Sequence, residues 1–149
     1  MRKILIDADG CPVVDITIKL ATQFKIKCII ICDTSHIFEK VGAQTITVSK
    51  GSDSVDFALV NMVKKGDIVV TQDYGLAAMC LARKSVPISQ NGMIYTNDNI
   101  DSLLMQRYTA KKIRMAGGKF GKGASKRKSG QNIVFEAELK KLLEESYDI

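Results

Sequence analysis

The stretch that decides the fold class is Lys27-Cys28-Ile29-Ile30-Ile31-Cys32, in which five apolar residues follow one another. A strand with one face in water alternates apolar and polar residues, whereas a continuous apolar run is typical of a parallel strand whose sheet is covered on both faces. On such a strand Cys28 and Cys32 point to the same face. We therefore interpret them, together with Cys80, as small core residues rather than as members of a disulfide.

The segments around this stretch alternate between short apolar runs and longer runs with helical periodicity. The predicted strands span residues 3–6, 27–32, 45–48, 68–71 and 86–89, and the predicted helices span residues 12–24, 53–65, 74–84, 98–115 and 131–145. Asn91-Gly92 is typical of a tight turn after the fifth strand. The alternation predicts a single three-layer α/β/α sandwich over residues 1–149, with a mostly parallel sheet and C-terminal helices after a basic, glycine-rich loop at residues 116–130.

Length and hydropathy bear on where the protein works. A chain of 149 residues suits one domain. The longest apolar run is far below the roughly 20 residues that cross a bilayer, and the apolar residues before Asp7 are too few for a signal peptide. We therefore expect a cytoplasmic protein with no membrane partner. The oligomeric state is left open.

Positive charge is concentrated between residues 107 and 128, which we call the basic segment. The chain has a net charge of +6, and this segment contains nine basic residues and no acidic one, so the remainder is net negative. An acidic body with a basic arm is typical of an enzyme that acts on a polyanion, and a solvated loop without a partner is the alternative. The candidate nucleic-acid-binding residues are Arg107, Lys111, Lys112, Arg114, Lys119, Lys122, Lys126, Arg127 and Lys128.

Aspartate residues follow the predicted strands. The carboxyl ends of parallel strands meet at one edge of a sheet, which is where open α/β sheets bind ligands. Like charges gathered there are costly unless a cation neutralises them, and Mg²⁺ and Mn²⁺ prefer oxygen ligands. The sequence therefore predicts a Mg²⁺ or Mn²⁺ site at this edge. The acids that follow the first four strands are Asp7, Asp9, Asp33, Asp53, Asp56 and Asp73.

Some of these acids also have a purely structural explanation. Asp53 suits the N-cap of the second helix, Asp56 suits its first turn, and Asp33 suits a turn, which is the role we favour for it. Thr71 and Ser52 are candidates for additional hydroxyl ligands. We interpret Asp7, Asp9 and Asp73 together as a functional site, because small residues beside them leave room for a ligand.

Three motifs carry a resemblance to a known family. They are Asp7-Ala8-Asp9-Gly10-Cys11-Pro12-Val13-Val14, Asp53-Ser54-Val55-Asp56 and Thr71-Gln72-Asp73-Tyr74-Gly75-Leu76-Ala77. With these motifs the chain resembles the YaiI/YqxD family of bacterial proteins over nearly its whole length, and that family looks like a branch of the PIN-like nucleases. The resemblance implies a PIN-like α/β/α sandwich in which acids on divalent ions hydrolyse RNA or single-stranded nucleic acid.

The resemblance also implies roles for individual residues. Carried over position by position, it implies that Asp7, Asp9, Asp53, Asp56 and Asp73 are catalytic acids and that Asp7, Asp9, Asp53 and Asp73 are metal ligands. Many PIN nucleases have a glutamate on a central helix, where this chain has the shorter Asp56.

Three hypotheses follow from different classes of protein. The leading one is a Mg²⁺- or Mn²⁺-dependent nuclease. The second is a phosphatase of the haloacid-dehalogenase type, because Asp7-Ala8-Asp9-Gly10 also resembles the opening of those enzymes, with Asp7 as the nucleophile and Asp9 as the acid and base. The third is a nucleic-acid-binding adaptor without catalytic activity.

Overall fold

Five strands form one parallel sheet in the computed structural model, which describes residues 2–35, 39–51, 53–117 and 127–145. The strands are β1 (Lys3–Asp7), β2 (Lys27–Asp33), β3 (Gln44–Val48), β4 (Ile68–Val70) and β5 (Val86–Ile88). Their order across the sheet is β3-β2-β1-β4-β5, and each neighbouring pair is parallel. The predicted parallel sheet is confirmed, and each strand boundary lies within one residue of the prediction.

Helices cover both faces of this sheet. They are α1 (Val14–Gln23), α2 (Ser54–Met62), α3 (Tyr74–Ala82), α4 (Ile100–Met115) and α5 (Ser129–Glu144). The helices α1 and α5 pack together on one face, while α2 and α3 pack on the other. The helix α4 packs against α3. This arrangement confirms the predicted α/β/α sandwich.

The two strand faces enter two different cores, which explains the continuous apolar run of β2. Cys28, Ile30 and Cys32 lie in the cluster beneath α1 and α5, whereas Ile29 and Ile31 lie beneath α2 and α3. All five are buried, and burying one isoleucine side chain contributes about 1.5–3 kcal/mol. The run is apolar throughout because neither of its faces meets water.

The helix α2 ends at Met62, so the helix expected over residues 53–65 was predicted three residues too long. Val63 already has extended backbone angles. The buried carboxylate of Asp67 accepts hydrogen bonds from the backbone N–H of Lys64 at 2.8 Å and from that of Lys3 at 3.0 Å. These contacts hold the chain outside the helix and direct it into β4, a long-range constraint that helical periodicity does not reveal.

The strand order reverses beside β1, and this reversal positions the site. From β1 the chain passes to β2 and β3 on one side, and it then returns to place β4 and β5 on the other side. The loops that leave the carboxyl ends of β1 and β4 therefore diverge, and open α/β sheets bind ligands in the crevice between such loops. Within the described part of the chain, no helix has the length and hydropathy needed to cross a membrane.

Candidate functional site

Three aspartates lie at the crevice because of where β1 and β4 end. Asp7 is the last residue of β1, and Asp9 follows it in a loop that turns at Gly10, where φ is +70°. Asp73 is the N-cap of α3, three residues after β4, and its Oδ1 accepts a hydrogen bond from the backbone N–H of Leu76 at 3.1 Å. The predicted placement of these acids at one edge of the sheet agrees with the register, since β1 and β4 are neighbours.

The hydroxyl of Thr71 joins the two loops. Thr71 Oγ1 donates a hydrogen bond to Asp7 Oδ2 at 2.8 Å and accepts one from the backbone N–H of Asp73 at 3.0 Å. The buried Tyr95 hydroxyl in turn donates to the Thr71 carbonyl at 3.1 Å. Thr71 thus orients Asp7 and fixes the start of α3, which is a positioning role, and the ligand role considered from the sequence stays a prediction.

Electrostatics show which carboxylates are close together. Burial raises the pKa of Asp7 to about 6, the Thr71 hydrogen bond opposes this rise, and the negative charges of Asp56, Asp73 and Asp9 add to it. The pKa of Asp56 is also raised, first by burial and then by the charges of Asp73 and Asp53, while Arg107 lowers it. The charges of four acids at this edge therefore act on one another, and we call Asp7, Asp9, Asp56 and Asp73 the acidic cluster.

Asp53 and Asp33 lie outside this cluster. Asp53 is exposed at the N-cap of α2 with φ of 68°, and its side chain makes no capping hydrogen bond. Its charge acts on Asp56 but is not among those that raise the pKa of Asp7. Asp33 Oδ1 accepts a hydrogen bond from the backbone N–H of Ser35 at 2.7 Å, so the turn role favoured for it is confirmed.

The basic segment begins at the acidic cluster. Arg107 Nη1 donates to Asp73 Oδ1 at 3.2 Å, and both side chains are partly exposed. Lys111 and Arg114 follow at helical spacing on the same face of α4 and are exposed. With a rise of 1.5 Å per residue, this stripe extends about 10 Å along the helix. A row of positive charge therefore leads away from Asp73.

The other predicted basic residues differ in their surroundings. Lys112 lies over the Tyr108 ring, 5.1 Å from its centroid, and Lys128 is exposed at the N-cap of α5. The Arg127 guanidinium donates to Gln90 O, Asn91 Oδ1 and Asn132 Oδ1 at 2.7–2.8 Å, so it is engaged within the protein. The remaining candidates, Lys119, Lys122 and Lys126, lie outside the described residues, as does the candidate ligand Ser52.

A small cavity of about 60 Å³ opens beside Asp7 and Asp9. Thr71, Gln72 and Gln90 also line it. Neither glutamine was among the predicted site residues, although Gln90 follows β5 by two residues, because the strand-end argument was applied to acidic residues alone. A wider surface depression of about 350 Å³ is lined by residues of α5 alone and contains none of the predicted site residues.

The donor set fits a hard divalent ion that keeps much of its water. Among the described residues, no three His, Cys, Asp or Glu side chains are arranged as a ready-made metal site. Mg²⁺ does not need such a cage, because it is commonly held by one or two carboxylates together with water and substrate phosphates. Asp7 and Asp9, which share the cavity, offer that minimal set.

Cys11 also lines this cavity, at the start of the loop before α1. Burial raises the pKa of its thiol to about 11, with a further contribution from the charge of Asp7. The thiol is therefore protonated at neutral pH, and a protonated thiol is a poor nucleophile.

Comparison with known proteins gives a family but no solved counterpart. A family model described as "Uncharacterized BCR, YaiI/YqxD family" matches residues 5–145. A UPF0178 protein of Exiguobacterium sibiricum is 53% identical over 146 residues, covering 98% of this chain and 99% of that protein. A UPF0178 protein of Clostridium acetobutylicum is 46% identical over 142 residues, covering 95% and 96%. No solved structure matches. The chain belongs to the YaiI/YqxD family.

Proposed function

We propose that this protein is a divalent-metal-dependent phosphodiesterase that cleaves RNA or another single-stranded nucleic acid. The observation that carries the proposal is the position of Asp7 and Asp73 at the ends of β1 and β4, where Thr71 links them, with a positive stripe that starts at Asp73. In this proposal, carboxylates of the acidic cluster would bind the metal ion, and the positive side chains of the α4 stripe would bind the negatively charged nucleic acid. The resemblance to PIN-like nucleases supports the same chemistry.

Asp7 and Asp9 would hold the ion, because both line the cavity and Thr71 fixes the orientation of Asp7. When bound, Mg²⁺ or Mn²⁺ polarises the phosphodiester and stabilises negative charge on the leaving oxygen. Asp56 is suited to accept a proton from the attacking water, because a carboxylate with a raised pKa is a stronger base than an ordinary one. From its place in the first turn of α2 it is influenced by the charge of Asp73.

The stripe on α4 would bind the phosphate backbone. Arg107 lies closest to the carboxylates and is partly exposed, so it can contact a phosphate next to the cleaved bond. Lys111 and Arg114 would contact phosphates further along the strand. Such contacts carry no base information, so we expect binding that depends on salt and little on sequence.

The test compares cleavage and binding in one pair of variants. A fluorescent single-stranded RNA is incubated with the wild-type protein and with Asp73→Asn, with Mg²⁺, Mn²⁺ or a chelator present. Asp98→Asn serves as the matched control, because Asp98 is exposed just before α4 and lies outside the acidic cluster. We expect metal-stimulated cleavage by the wild type and the control. Asp73→Asn should lose cleavage and retain binding by the stripe.

Two outcomes would contradict the proposal and would distinguish its alternatives. RNA binding without cleavage in either metal would indicate an adaptor. Hydrolysis of phosphomonoesters with a phosphoryl adduct trapped on Asp7 would indicate a phosphatase of the haloacid-dehalogenase type.

A further inference from the structure

The side-chain carbonyl oxygen of Gln90 is a buried hydrogen-bond acceptor that the described residues leave unsatisfied. Among the described residues, no group donates a hydrogen bond to Gln90 Oε1, although the atom is inaccessible to solvent. Buried polar atoms in proteins are nearly always satisfied by a protein group or by a buried water. Gln90 lines the small cavity beside Asp7 and Asp9, so the partner of its carbonyl has a place to reside.

The chemistry of the cavity restricts what can occupy it. Its polar lining includes the carboxylates of Asp7 and Asp9 and the side chain of Gln90, and these oxygens accept hydrogen bonds. The negative charges repel an anion, whereas a water molecule can donate one hydrogen bond to Gln90 Oε1 and a second to one of the carboxylates. A volume of about 60 Å³ exceeds the roughly 10–15 Å³ that one water requires.

We propose that Gln90 is a positioning residue whose Oε1 holds a water molecule in this cavity, next to the divalent ion that Asp7 and Asp9 would bind. The inference rests on the proposed function and adds to it a residue of the loop after β5. Partners of this kind orient the groups around a metal, and their loss lowers metal affinity or activity by about 10–100-fold.

The backbone of Gln90 is fixed from two sides. Its carbonyl accepts a hydrogen bond from Arg127 Nη2 at 2.7 Å, and its N–H donates to Gln72 Oε1 at 2.9 Å. The same guanidinium binds Asn91 Oδ1 and Asn132 Oδ1, which ties the loop after β5 to α5. Arg127 therefore acts on the cavity through Gln90, and this is a different role from the direct nucleic-acid contact expected from its place in the basic segment.

Gln90→Leu tests the inference, because leucine has a similar size and no hydrogen-bonding group. Mn²⁺ affinity is measured by calorimetry on the protein without nucleic acid, and cleavage of single-stranded RNA gives kcat and KM separately. We expect Gln90→Leu to weaken Mn²⁺ binding about 10-fold and to lower kcat with little change in KM. Gln90→Glu, which keeps an acceptor there, should restore Mn²⁺ binding. Gln106→Leu, at an exposed position of α4, is the matched control.

The outcomes separate this inference from the proposed function. Wild-type Mn²⁺ affinity and kcat in Gln90→Leu would overturn the role of Gln90 while leaving the nuclease proposal intact. Absence of Mn²⁺ binding and cleavage in the wild type would overturn the nuclease proposal. In that case a crystal structure still decides the inference, since a cavity without a water within about 2.6–3.2 Å of Gln90 Oε1 overturns it.

Discussion

Replacing Asp7 by asparagine is expected to stabilise the folded protein at neutral pH and to abolish cleavage. Folding raises the pKa of this carboxyl from 3.8 to about 6, chiefly because the group is buried. Its contribution to stability is therefore fully present below about pH 4 and is lost as the pH rises through about 6. The difference between the two pKa values corresponds to about 3 kcal/mol of unfolding free energy at neutral pH.

Asparagine removes this cost because it is neutral and similar in shape. Its side-chain carbonyl can still accept the Thr71 hydrogen bond, and the repulsion by Asp9, Asp56 and Asp73 disappears. We expect the unfolding free energy at about pH 7.5 to rise by up to about 3 kcal/mol. For a chain of this size the gain is about 6–12 °C in Tm. At about pH 4 the variant and the wild type should be nearly equal, because Asp7 is then largely protonated.

Chemical unfolding at several pH values measures this effect directly. Asp98→Asn is again the control, since its exposed carboxylate is expected to give no comparable gain. Added Mg²⁺ should stabilise the wild type more than Asp7→Asn, because the variant lacks a ligand for the ion. If the gain in unfolding free energy is the same at every pH, or if the variant is less stable at neutral pH, burial of the charged Asp7 carboxylate does not destabilise the fold and the reasoning is refuted.

Three further predictions concern the partner of Asp7, a buried contact at the opposite edge of the sheet, and the α4 stripe. Thr71→Val removes the hydroxyl that binds Asp7, so it should cost about 1–3 kcal/mol in denaturant unfolding and lower metal affinity in calorimetry. Asp67→Asn weakens the buried contact with Lys3 and should destabilise the protein by about 1–3 kcal/mol without changing KM for RNA. Lys111→Ala should reduce the slope of log affinity against log salt by about 0.7, measured by fluorescence anisotropy, while kcat stays unchanged.

The fold could be predicted because local patterns and the global architecture agree. A five-residue apolar run has few explanations besides a strand covered on both faces, and β2 is such a strand. The C-terminal end of α2 and the start of α4 differ from the prediction by three and two residues. The end of α2 depends on Asp67, whose carboxylate holds the following chain outside the helix and contacts Lys3, a residue 64 positions away in the sequence. At α4, Asn99 and Thr96 exchange hydrogen bonds before the helix begins. Helical periodicity contains neither piece of information.

The site could be predicted only as far as strand order allowed. Asp7 and Asp73 follow strands that turn out to be neighbours, so their proximity was deducible once the sheet was taken as parallel. The sequence did not distinguish the roles of Asp53 and Asp56, because the two residues are only three positions apart at the start of α2. The structure distinguishes them, since Asp53 is the N-cap and Asp56 lies in the first turn, where the charge of Asp73 acts on it. Gln90 was missed because glutamine is common in loops, and its buried carbonyl becomes visible only when β5 is placed beside β4.

The charge balance at the crevice implies that a nuclease built on it would bind its metal ion and its nucleic acid cooperatively. The acidic cluster carries up to four negative charges, and Arg107 supplies one positive charge at Asp73. The crevice without an ion is therefore negative on balance and repels a phosphodiester, even though the α4 stripe attracts the strand nearby. A divalent cation reduces this negative charge and provides ligand positions for phosphate oxygens.

Binding of the ion and of the nucleic acid must then favour each other by the same factor, because coupling between two ligands is reciprocal. In the proposed nuclease the acidic cluster and the stripe would be two halves of one binding site, joined at the contact between Arg107 and Asp73.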